Sequence, residues 1–98
     1  MGKYLLLWEV DKTRLPVDRT ERAQGMSALM ALTKQDLDKG LALSWGAFIG
    51  ETSGYAIYEG SEVDIMKAVQ QYIPFASYTV KPLATLEQVN EMLADLSA

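Results

Sequence analysis

Two acids and a group of aromatics are the side chains in this sequence best suited to chemistry. Glu9 lies in the apolar run KYLLLWEV, Lys3 to Val10, directly after Trp8. A carboxylate partly buried beside an indole is harder to ionise, which moves its pKa toward neutrality and suits it to general acid or base work. Glu59 ends a second apolar run, GYAIYEG, just before Gly60. Should the two strand ends adjoin, the paired carboxylates would push their pKa values apart into acid and base roles. Trp8, Trp45, Tyr58, Tyr72 and Tyr78 offer flat faces with polar tips for an aromatic or polyketide-like ligand, and Met26, Met30 and Met66 offer an adaptable lining. Each also has a plain structural reading that general frequencies favour: a wet strand-end acid, a core or interface aromatic, a packing methionine. The candidates are therefore Glu9 and Glu59 for proton transfer, and Trp8, Trp45, Tyr58, Tyr78, Met30 and Met66 for ligand contact.

The missing residue types narrow the chemistry further. With no cysteine and no histidine, the chain forms no disulfide, thiolate nucleophile, Cys/His zinc site or imidazole base. No metal or cofactor is expected. A net charge of −4 argues against unspecific attraction to nucleic acid or an anionic membrane. The basic residues concentrate in positions 1–40, seven against six acids, while positions 41–98 hold two against seven. Arg14, Lys67 and Lys81 are the cations most able to meet a carboxylate ligand, although the sequence names no partner for any of them. Neither phosphate-binding glycine motif occurs, and Tyr55 to Glu59 lacks the basic–glycine–aromatic signature of RNA-binding strands. The longest nearly apolar run, Leu41 to Gly50, is about half of what a membrane span needs, and Tyr4 to Trp8 is too short for a signal peptide. A cytoplasmic protein of one domain, residues 1–98, is the expectation.

Those side chains need elements to position them. Lys3 to Val10 reads as a strand, closed by Asp11, Pro16 and Asp18. From Asp18 to Lys39 the pattern becomes helical: Ala23, Met26, Met30, Thr33 and Leu37 recur at three- and four-residue steps, and Gly40 follows as a C-terminal stop. Leu41 to Ile49 and Tyr55 to Glu59 flank a Gly50 to Gly54 loop and predict an antiparallel hairpin. Ser61 to Asp64 resembles a capping box for a second helix with Ile65, Met66, Val69, Tyr72 and Ile73 on its apolar stripe, ended by Pro74. Phe75 to Lys81 predicts a fourth strand. Thr85 and Gln88 then cap a third helix whose Leu86, Val89, Leu93 and Leu96 share one face.

The order β-α-β-β-α-β plus a helix is the ferredoxin-like plan, an α+β fold with both main helices on one face of a four-stranded antiparallel sheet. The strands are apolar on both sides, Leu5 and Leu7 alternating with Tyr4, Leu6, Trp8 and Val10. A sheet with one wet face alternates more cleanly, so a second subunit is expected on the open face.

On KYLLLWEV, GYAIYEG and FASYTVKPL followed by an acidic helix, the chain resembles the dimeric α/β-barrel superfamily, and within it a small family of unknown activity. The resemblance implies protomers packed sheet to sheet, with a cavity in each between sheet and helices. In that superfamily such cavities serve cofactor-free monooxygenation, lactone isomerisation, haem chemistry or small-molecule degradation. Members that bind haem through histidine are excluded as models. Two functional expectations follow. The first is a homodimeric binding or interaction module with a pocket for a small hydrophobic ligand. The alternative is a cofactor-independent monooxygenase or isomerase that uses Glu9 or Glu59 on a small aromatic substrate.

Overall fold

A computed structural model describes residues 2–97. The bulky and β-branched runs pair into one antiparallel sheet: β1 (Gly2–Val10), β2 (Ala42–Ala47), β3 (Ser53–Gly60) and β4 (Ala76–Leu83), in the order β2-β3-β1-β4. With α1 (Arg19–Asp38) between β1 and β2 and α2 (Glu62–Gln70) between β3 and β4, the fold is α+β and ferredoxin-like. A short 3-10 turn, Lys12–Arg14, leads out of β1, and α3 (Leu86–Ser97) follows β4.

The helix ends form at capping residues, those of α2 and α3 as the sequence predicts. Asp18 accepts from the Glu21 N–H, and Ser61 and Asp64 bond reciprocally as a capping box. Thr85 and Gln88 do the same for α3. Each cap satisfies backbone N–H groups that the first helical turn leaves free. β3 and β4 run beyond their predicted limits, β4 continuing through Pro82, whereas β2 is shorter than predicted, Ala42–Ala47 rather than Leu41 to Ile49. Proline fits there because β4 is an edge strand with no neighbour beyond it.

The pleat sorts the strands into two faces. Toward the helices point Leu6 and Trp8 of β1, Gly54, Ala56 and Tyr58 of β3, and Ala76 and Tyr78 of β4, aligned through the pairs Leu6↔Ala56, Trp8↔Gly54 and Trp8↔Tyr78. Leu6, Ala56 and Tyr58 form the core with Ala42, Ile65 and Ala68. The other face carries Leu5, Leu7, Tyr55, Ile57, Thr79 and Lys81, and among the described residues no helix is packed over it.

Helix α3 buries none of its residues. Its apolar stripe is open, with Leu86 76% and Leu96 73% exposed. The projecting helix stretches the molecule to 62 Å along its longest axis, with a radius of gyration of 16.3 Å, against about 13 Å for a typical globular chain of this length. Among the described residues no helix is long and apolar enough to cross a membrane.

Candidate functional site

The site is built where the first half of α1 fails to close over the sheet. Between Arg19 and Asp38 only Thr33 and Asp36 are buried; Met26 and Met30 remain about two-fifths exposed, at 43% and 39%. Ala23 and Leu37, expected on the inner face, are exposed as well. The stripe that does face the sheet passes through Leu29, Thr33 and Asp36, positions three and four residues apart. Leu37 is displaced from it because Asp36, one position earlier, turns inward.

Two adjoining compartments occupy the gap. The inner one, about 50 Å³, is lined by Trp8, Leu29, Met30, Thr33, Trp45, Tyr58, Tyr72 and Tyr78 together with Val10, Ala56 and Ala76. The outer one, about 120 Å³, shares Trp8, Val10, Leu29, Met30 and Trp45 and continues past Met26 to Leu15. Trp8 and Trp45 form the wall common to both. Their rings stack with centroids 5.4 Å apart and planes 8° from parallel, and the Trp8 indole donates to the Tyr55 carbonyl at 3.2 Å. Gly54 makes this stack possible: a Cβ there would run into the Trp8 ring and the Gly46 carbonyl.

At the inner end lies a polar cluster. The Tyr58 hydroxyl donates to Asp36 Oδ2 at 2.7 Å, and the Tyr72 hydroxyl reaches the same oxygen at 3.3 Å. Thr33 donates to the Leu29 carbonyl at 3.1 Å and stands 3.3 Å from the Tyr72 oxygen. Asp36 is 0% exposed, and its Oδ1 has no hydrogen-bond partner among the described residues. A buried carboxylate oxygen left unpaired costs several kcal/mol by the usual scale, roughly 1–3 even for a neutral group. A fold retains such a group where it serves a ligand, a water or a reaction.

Burial, above all, and the Asp36 hydrogen bond next, hold the Tyr58 phenol well above the ordinary range. Tyr72 and Tyr78 are both raised mainly by burial. All three stay protonated at neutral pH. They act there as hydrogen-bonding phenols rather than as bases.

Of the candidates read from sequence, Trp8, Trp45, Tyr58, Tyr78 and Met30 meet in this cavity. Met66 does not; it is 64% exposed on the outer side of α2, beside Val63 and Lys67. Glu9 is exposed and opposite Ser53 and Ser77, on the sheet face away from the helices. Glu59 lies on that face too but pairs with Lys3, at the far end of the antiparallel β1–β3 ladder. Six residues of extended chain, roughly 20 Å, separate the two acids, so they do not share a site. Neither touches the aromatic cavity. Glu51 lines the outer compartment, and Asp36 is the buried acid behind the inner one, where the sequence signal that finds it is its position seven residues after Leu29 on the α1 stripe. No group of three or more potential ligands among the described residues is arranged to hold a metal ion.

No family model matches the chain, and no curated protein sequence matches it. Among solved structures it is similar to MupZ from Pseudomonas fluorescens, with a TM-score of 0.51 and 14% sequence identity over 98% of this chain and 81% of that one. At that identity the likeness supports the shared α+β fold and nothing about activity.

Proposed function

We propose that this protein is a homodimeric binding module of the dimeric α/β-barrel kind, whose cavity between sheet and α1 takes a small hydrophobic ligand. The observation that carries the reading is the loosely closed, aromatic-walled gap between the Trp8–Trp45 stack and α1. Aromatic walls with a few convergent polar groups are the usual make-up of small-molecule sites. The pairing of two copies is supported by the uncovered sheet face and the unpacked stripe of α3.

Titration with toluene, followed by tryptophan fluorescence and amide chemical shifts, tests the cavity. Shifts at Trp8, Trp45 and Met30 that saturate are expected, and Trp45→Ala should weaken them; no saturable change in the wild-type protein would overturn the reading. Sedimentation velocity tests the dimer.

A cofactor-independent monooxygenase or isomerase is the second reading, favoured by one observation, the buried Asp36 with its unpaired oxygen. With Glu9 and Glu59 on the outer face, proton transfer in the cavity would run through Asp36 and its tyrosines. Binding alone requires fewer coincidences and stands first.

A further inference from the structure

The inner end of the cavity has a hydrogen-bonding character that its walls lack, and the protons can be counted. Thr33 spends its hydroxyl proton on the Leu29 carbonyl. Tyr58 spends its own on Asp36, and Tyr72 has Asp36 and Thr33 within reach of its proton. The oxygens of Tyr58 and Tyr72 therefore keep acceptor lone pairs but no free proton. Tyr78 is different. It lines the same compartment beside Tyr72, with ring centroids 6.2 Å apart, and its hydroxyl makes no hydrogen bond to a described residue. One free phenol donor thus adjoins two committed phenols that can only accept.

We propose that this cluster makes the cavity selective for neutral ligands with a small apolar or aromatic body and one hydroxyl group, and that it rejects carboxylates. A ligand hydroxyl can donate to the Tyr58 or Tyr72 oxygen and accept from Tyr78, satisfying all parties. A hydrocarbon leaves these groups unpaired, and a carboxylate brings a second negative charge toward Asp36 with a single donor to receive it. Asp36 does not line the cavity and acts as a positioning residue: it fixes the direction of the two tyrosine protons and supplies the charge that excludes anions.

This inference rests on the cavity proposed above as a ligand site, and the test separates the two. The folded protein is titrated with toluene, p-cresol and benzoate, following amide chemical shifts. In a purely apolar pocket p-cresol binds more weakly than toluene, because its hydroxyl loses water without replacement. Here p-cresol is expected to bind about two- to tenfold more tightly than toluene, and benzoate weakest of the three, one recovered hydrogen bond being of that size. Tyr78→Phe should abolish the advantage of p-cresol and leave toluene unchanged. That hydroxyl has no structural partner, so the variant is expected to fold. Asp36→Asn, which keeps the side-chain volume, should narrow the gap between p-cresol and benzoate.

Saturable toluene binding with p-cresol no tighter overturns the selectivity and leaves the cavity reading standing. Failure of all three probes overturns both. A preference for p-cresol that survives Tyr78→Phe and Asp36→Asn also overturns the assignment, since other groups would then recognise the hydroxyl.

Discussion

The Tyr58 hydroxyl donates to Asp36 Oδ2 across 2.7 Å, tying β3 to α1 inside the core. Both residues are almost fully buried, so the bond is made in a medium that solvates a carboxylate poorly. Tyr58→Phe keeps the ring and its packing but leaves Asp36 with Tyr72 as its one remaining donor among the described residues, at 3.3 Å. Hydrogen bonds to charged groups are worth about 1.5–3 kcal/mol, so a loss of about 2 kcal/mol is expected. For a chain of this size that lowers Tm by roughly 10 °C. Tyr55→Phe is the control: its hydroxyl bonds the neutral, part-buried Ser44 at 2.8 Å rather than a carboxylate, and the cost should stay below about 1 kcal/mol. Urea denaturation of both variants decides; equal losses would mean that the buried bond carries no special weight.

The same burial predicts how stability depends on pH. Tyr58, Tyr72 and Tyr78 have folded-state pKa values above the ordinary 10.0 of a phenol, and in each the leading cause is burial. Above about pH 10 the unfolded chain releases these protons while the folded chain keeps them. The unfolded state then binds fewer protons, so the free energy of unfolding falls as pH rises. Stability contributed by the three neutral phenols is fully present below pH 10 and is lost on the alkaline side. Denaturation midpoints measured from pH 8 to pH 11.5 should be level at first and then decline. Phenolate absorbance of the native protein should show buried tyrosines titrating only with unfolding, and a Tyr58→Phe background should make the alkaline decline shallower.

Much of the scaffold was legible in the sequence because it rests on local signals. The caps of α2 and α3 follow from Ser61 with Asp64 and from Thr85 with Gln88, each pair bonding across three residues. The strand runs and their order follow in the same way. The cavity was legible in part. Trp8, Trp45, Tyr58, Tyr78 and Met30 announce themselves as large aromatic or flexible residues on apolar segments, and the sheet register brings them together. Asp36 does not, because α1 is polar on most of its surface and a charged residue at an inward position contradicts the rule that identifies such positions. The distance between Glu9 and Glu59 was hidden for another reason: antiparallel pairing sends the ends of β1 and β3 apart, and only the register reveals which residue faces which.

Gly54 is expected to be the most sensitive glycine of the sheet. A methyl group there meets both the Gly46 carbonyl and the Trp8 ring, and backbone cannot move aside as a flexible side chain can. Gly54→Ala should destabilise the chain by roughly 3 kcal/mol, as overpacking of a rigid site does. It should also displace Trp8 from Trp45, read as a changed near-ultraviolet circular dichroism signal of the stacked indoles. Gly25→Ala is the contrasting substitution, because nothing stands within 4 Å of the added carbon. On an exposed helix position it should be neutral or stabilising, by about 0.5–1 kcal/mol.

The open sheet face and the α3 stripe are apolar surfaces left uncovered among the described residues, and the dimer proposal turns on them. A twelve-residue helix is marginal in water without packing, so in the proposed dimer α3 would gain most of its stability from a partner surface over Leu86, Val89, Leu93 and Leu96, which the single chain leaves exposed. Leu7 stands in the middle of the open face, between Tyr55 and Thr79 across the ladders, and is 37% exposed in the single chain. Leu7→Glu therefore costs the isolated protomer little, whereas in a dimer joined through the sheets it buries an unpaired charge at the centre of the interface. Sedimentation velocity should give a dimer for the wild-type chain and a folded monomer for Leu7→Glu at micromolar concentration. Leu93→Glu distinguishes the role of α3. If that helix lies on the partner, dissociation should be accompanied by loss of helical circular dichroism as α3 unwinds. A dimer that survives both substitutions would mean that neither surface joins the copies, and a wild-type monomer would end the dimer proposal outright.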